Sequence, residues 1–168
     1  MKKLILIFLI FFGFLFSAYA IDRKEKMGLG FTLGGPNLGF GIRGNYYPYS
    51  MLDLAGGIGV ARLFTAFKAY SVNAELLLHA LETYRASPYF ILATGYFWGK
   101  DVETEEGFSG DVGFTKYHPK EVSSVFFSPG VGFQWLAESG FSLFIEYNYM
   151  MSKESYHSFG GIGIQVFN

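Results

Sequence analysis

From residue 27 onward, large apolar side chains recur at every second position, and the positions between them carry glycine or small polar groups. A period of two belongs to strands, whose successive side chains point to opposite faces. In the first such segment, Met27, Leu29, Phe31 and Leu33 are interleaved with Gly28, Gly30, Thr32 and Gly34. The pattern returns over 38–46, 52–61, 72–79, 125–135, 141–149 and 161–166. Segment 88–98 is apolar at nearly every position, so its inward side stays open. Eight strands are expected. The 22 glycines agree with this, because each interior glycine costs a helix about 1 kcal/mol relative to alanine.

Which solvent meets the greasy face is decided by the charges. Arg43, Asp53, Glu75 and Glu146 all fall on the glycine-rich face, and almost nothing charged falls on the apolar one. With the apolar face inward, the outside would be a flat, glycine-rich sheet open to edge-to-edge association. The inverse arrangement, apolar residues outward into lipid and small or polar ones inward, accounts for both faces together. In hydrocarbon every backbone group must be paired, which a closed barrel achieves without a free edge. The fold class expected is therefore all-β, a closed antiparallel up-and-down transmembrane barrel of eight strands.

Connection lengths alternate. Residues 47–50, 81–87 and 136–140 make short links, whereas 99–123 and 151–158 are longer. Short turns at one end and long loops at the other are the habit of transmembrane barrels. Aromatics fit two interfacial belts. Tyr46, Tyr47, Tyr49, Tyr84, Tyr89, Trp135 and Phe141 gather at the short-turn end, and Phe64, Phe67, Phe97, Trp98, Tyr147 and Tyr149 toward the other.

Ahead of these segments, Met1-Lys2-Lys3 precedes an apolar run from Leu4 to Phe16 and then Ser17-Ala18-Tyr19-Ala20. This is the layout of a secretory signal peptide, with cleavage expected after Ala20. The run is shorter than the about 20 apolar residues a spanning helix requires. The domain division expected is thus 1–20 signal peptide and 21–168 barrel. Removing Lys2 and Lys3 turns 13 basic against 14 acidic residues into 11 against 14, a net charge of −3, so no basic footprint for nucleic acid remains.

The residues also resemble the small outer-membrane β-barrel superfamily that includes the transmembrane domain of outer-membrane protein A. The likeness runs from about 27 to 168. It rests on Gly44-Asn45-Tyr46-Tyr47-Pro48, Pro88-Tyr89, Ser128-Pro129-Gly130-Val131-Gly132-Phe133, Phe144-Ile145-Glu146-Tyr147 and the closing 161–167 stretch. The resemblance implies a place in the bacterial outer membrane, contact with its lipid, and delivery by the barrel insertion machinery. That machinery reads a terminal aromatic in the family, whereas here Phe167 is penultimate and Asn168 is last.

The remaining polar residues carry no recognisable catalytic or metal-binding pattern. The chain has no cysteine, which removes thiolate nucleophiles and Cys-based metal sites. Barrel deacylases of lipid A carry a His-x-Ser motif with a downstream Glu, and none of His79, His118 and His157 has Ser two residues on. Ser155, Ser158 and Glu154 around His157 come from one short loop, unlike a catalytic triad. Asp101, Glu103, Glu105 and Glu106 lack the glycine and ligand spacing of a calcium loop. No helix or Lys follows the glycines at 28, 30, 34 and 35 to make a phosphate cradle. No catalytic residue, cofactor or metal is expected.

Two groups of residues stand out instead. In the lumen, Arg43, Glu75 and Glu146 are expected to form a buried network completed by Asn45, Asn73, Gln134 and Asn148, with Asp53 on the same face. In the 99–123 connection, expected to be external, mobile and open to an extracellular partner, Glu103, Glu105, Glu106, Phe108, Phe114 and Tyr117 interleave charge with aromatics. The leading functional reading is a non-enzymatic outer-membrane barrel with a structural or surface-interaction role through its external loops. A barrel of eight strands is just wide enough for its own side chains, which disfavours a general porin. The alternative is binding or transfer of a small apolar ligand or acyl chain in space left by inward glycines. A lipid-modifying enzyme is the third reading.

Overall fold

The computed structural model describes residues 23–62, 68–81, 85–109, 112–153 and 156–168. Side chains at 61–62, 68, 101–109 and 112–119 are outside that description, as are the leader, Phe64, Phe67, Tyr84, Glu154 and Ser155. Eight strands follow in order: β1 Met27–Gly34, β2 Gly39–Tyr49, β3 Leu52–Arg62, β4 Lys68–His79, β5 Ala86–Ser109, β6 Val112–Leu136, β7 Phe141–Ser152 and β8 Tyr156–Phe167. Each pairs antiparallel with the next, and β1 pairs with β8, so the sheet closes on itself.

The faces divide as the charge distribution requires. Leu29, Phe31, Ile58, Phe90, Ile145 and Ile162 are more than half exposed on the outside, while Arg43 is 1 % and Glu75 and Glu146 are each 4 % exposed within. In a water-soluble protein an outer face of this apolar extent would drive association; against hydrocarbon it is the solvent match. Strands β2, β3, β4, β7 and β8 have 11 or 12 residues, close to the about 9–11 that a tilted strand needs to cross a bilayer.

The side left open in the fifth segment is settled by β5, which turns Tyr89, Ile91, Ala93 and Phe97 inward and Phe90, Leu92, Tyr96 and Trp98 outward. Three aromatics expected at the interfaces, Tyr47, Tyr89 and Phe97, are therefore lumen residues. Tyr47 follows the alternation of β2, on the same inner face as Arg43 and Asn45, and just beyond it the β2–β3 register shifts by one residue between Tyr46 and Tyr49, around Pro48. A bulge tolerates the missing proline donor and lets Tyr46 and Tyr49 both face out with Tyr47 buried between them.

The largest departure concerns the 99–123 connection, whose described residues are paired strand and not loop. β5 and β6 continue through them as a paired ribbon, with register from Gly99↔Val122 to Ser109↔Val112. The ladder from β4 ends at Lys68↔Lys100, and β7 joins β6 only from Phe126↔Ser152, so among the described residues this ribbon stands two strands wide. The 151–158 connection is likewise shorter than expected, because β7 runs to Ser152 and β8 starts at Tyr156. Leu38 belongs not to a strand but to the turn before β2, where it is left-handed with φ 58°.

Candidate functional site in the barrel lumen

The lumen is filled in layers from the end where β1 begins and β8 ends. At that end Tyr47, Leu136 and Phe167 pack together, the Tyr47 and Phe167 rings 5.5 Å apart and edge-on. Phe167 thus points inward and Asn168 is exposed, its Oδ1 accepting from the Met27 N–H at 3.3 Å. Arg23, before β1, is buried beside this layer, and its Nη1 donates to the Leu81 carbonyl at 3.1 Å. Burial draws its guanidinium below the ordinary pKa, against the opposing pull of Tyr47 and Asp53.

The next layer is built of amides. Asn45 donates from Nδ2 to Asp53 Oδ2 and accepts at Oδ1 from Gln165 Nε2, so one carboxamide ties β2 to β3 and to β8. The Tyr47 hydroxyl donates to Gln134 Oε1 at 3.0 Å and lies 3.3 Å from His79 Nε2.

Above it Arg43 sits between two carboxylates. Its Nη1 is 2.5 Å from Glu146 Oε1 and its Nη2 is 2.6 Å from Glu75 Oε2, the latter an ion contact without hydrogen-bond alignment. The Tyr89 hydroxyl donates to the same Glu146 oxygen at 2.8 Å, and the guanidinium carbon lies 5.0 Å from the centre of the Phe144 ring. One cation thereby joins β2, β4 and β7 across the barrel. A buried charge is tolerable only with such partners.

The fourth layer comes from a turn rather than a strand. Gly35–Asn37, a single 3₁₀ turn between β1 and β2, is buried inside the barrel. Asn37 Nδ2 donates to Thr32 Oγ1 at 2.6 Å, its Oδ1 accepts from Asn73 Nδ2 at 2.8 Å, and its carbonyl accepts from Ser71 Oγ at 2.9 Å. Glycine makes the room: a Cβ at Gly59 would lie 2.0 Å from the Asn37 carbonyl oxygen, and one at Gly57 2.4 Å from Asn37 Oδ1. Positive φ at Gly34 and Gly35, 86° and 62°, bends the chain inward. Above the turn, Phe97, Phe126 and Met150 form an apolar layer against which Leu38 and Phe159 pack.

Of the lumen residues picked from sequence, Arg43, Glu75 and Glu146 do meet. The four amides do not complete their bonding. Asn45 serves Asp53, Asn73 serves Asn37, Gln134 serves Tyr47, and Asn148 is fully buried with neither carboxamide atom hydrogen-bonded to protein. The sequence pattern puts His79 and Gln165 on the inward face without tying them to the network, and it misses Tyr47, Tyr89 and Asn37 as lumen residues, because nothing local marks these aromatics or this turn as inward. The glycines thought to leave a ligand slot face Asn37 at positions 41, 57 and 59.

For the second group the register places Glu103 opposite His118, Glu105 opposite Lys116, Glu106 opposite Thr115, Thr104 opposite Tyr117, Gly107 opposite Phe114 and Phe108 opposite Gly113. Their side chains lie outside the described residues. His157 is exposed, its ring 5.9 Å from that of Phe159. Among the described residues no three His, Asp or Glu side chains converge as a metal site.

No family model matches the chain, and no curated protein matches it. Solved structures do. The N-terminal β-barrel domain of Pseudomonas aeruginosa OprF matches with TM-score 0.59 at 11% identity, over 86% of this chain and 98% of that one. Neisserial surface protein A gives 0.52 at 14%, covering 84% and 94%, and the attachment invasion locus protein Ail of Yersinia pestis gives 0.51 at 16%, covering 85% and 95%. Closure, strand number, lipid-suited exterior and these neighbours agree: the chain has the fold of the small eight-stranded outer-membrane β-barrels.

Proposed function

We propose that the chain is a non-enzymatic bacterial outer-membrane protein, exported with cleavage after Ala20, that uses its barrel as a platform and its β5–β6 ribbon as the surface presented to a partner. The observation that carries this reading is the length of that ribbon. Beyond Lys100 it runs nine more residues to Ser109, about 30 Å at about 3.3 Å per residue. The outward aromatics Tyr70, Tyr96 and Trp98, stacked with centroids 5.8 and 5.9 Å apart, lie just short of that point, as an interfacial girdle would. Six of the 14 acidic residues fall within 99–123, with Phe108, Phe114 and Tyr117 among them. Aromatics set in a solvated, charged segment are the kind of group that anchors a protein contact. Lipid and the insertion machinery are the other partners of this reading.

With both termini in the periplasm, β5 ends outside. Protease added to intact cells is expected to cut within 99–123 and leave the barrel protected. Cutting at 81–87 or 136–140 with 99–123 intact would invert the orientation and remove the basis for a surface role.

A further inference from the structure

We propose that the β1–β2 turn is a seated stopper: Gly34–Leu38 closes the lumen at the end opposite the start of β1 and the end of β8, and controls admission of water and small polar solutes to the Arg43–Glu75–Glu146 layer. The inference is independent of any partner of the ribbon.

Three features separate this turn from an ordinary surface hairpin. Its tip is inside the barrel, with Gly35, Pro36 and Asn37 all buried. Its attachment to the wall is polar and small: the one residue Asn37 donates to Thr32 on β1 and accepts from Ser71 and Asn73 on β4. Its two ends bend sharply, with positive φ at Gly34 and Gly35 on one side and at Leu38 on the other. Leu38 holds the left-handed geometry although it has a Cβ, and its side chain packs against Phe97, Phe126 and Met150. One residue thus links the polar tip to the apolar lid above it, so unseating Asn37 also loosens the lid. The wall is cut to receive the tip, because Gly41, Gly57 and Gly59 leave space that any side chain would fill. The opposite end has its own seal in Tyr47, Leu136 and Phe167, which leaves the turn as the removable closure.

The absence of cysteine allows a direct test. Ser128, on β6, faces the lumen at 1 % exposure and bonds to no part of the turn. Ser128→Cys then reports solvent access through its rate of reaction with a small charged maleimide in folded, detergent-solubilised protein. Two further changes unseat the turn by different means. Asn37→Gly removes the anchor without adding bulk, and Gly59→Ala drives a Cβ into the Asn37 carbonyl. Both are expected to raise the labelling rate at least tenfold while the unheated protein keeps its folded gel mobility. Equal rates with and without the two changes, or fast labelling of Ser128→Cys alone, would show that the turn is no barrier and overturn the proposal. Loss of folded mobility in both variants would overturn it too, assigning the turn to barrel formation rather than closure.

Discussion

Arg43 holds the centre of the lumen because it is the cation that two buried carboxylates share. Removing one member of such a set leaves the survivors desolvated and unpaired, at a cost of about 3–5 kcal/mol. Arg43→Ala is therefore expected to lower the urea concentration for unfolding in lipid vesicles more than Leu54→Ala, whose side chain faces outward. Equal midpoints would mean that Glu75 and Glu146 are hydrated separately. That these three residues share the lumen was legible in the sequence, since a charge on the glycine-rich face of a lipid-bound strand has nowhere else to go. Their individual partners were not legible, because which strands face each other across a barrel depends on closure and shear, to which no single strand's pattern refers. Asn37 was hidden for a related reason: Gly34-Gly35-Pro36-Asn37 announces a turn, but whether a turn folds outward or inward depends on glycines in β2 and β3.

Among the elements, alternation marks the apolar part of every strand but the fifth, whose segment 88–98 is apolar on both faces, and it fails beyond that apolar part. Period two is a signal only where the two faces meet different solvents. Residues 101–109 and 112–120 stand beyond the apolar part of the barrel, so their strands carry mixed charges and read as a loop. The bulge around Pro48, which turns Tyr49 outward beside an inward Tyr47, was unannounced in the same way. Glycine within strands separates into two kinds that a stability measurement distinguishes. A Cβ at Gly30 would meet the Ile164 carbonyl oxygen at 2.1 Å and the Gln165 Cα at 2.8 Å, both backbone of β8, whereas a Cβ at Gly160 meets nothing within 4 Å. Gly30→Ala should disturb the β1–β8 closure and lower the fraction that folds into vesicles, and Gly160→Ala should fold as the parent does. Equal folding of the two would mean that β1 and β8 yield easily at the seam.

At the scale of the whole molecule, two demands produce the architecture: hydrocarbon outside requires that no backbone group be left unpaired, and a narrow lumen requires that its charges neutralise one another. Pairing of β1 with β8 meets the first, and the shared Arg43 layer meets part of the second. The most direct test of a closed barrel with a lipid-facing exterior is gel mobility of detergent-solubilised protein, unheated and boiled. The folded form is expected to resist the detergent and run at a different apparent mass until heated, and to leave solution when detergent is withdrawn. Identical mobility before and after boiling, with the protein soluble without detergent, would contradict the account.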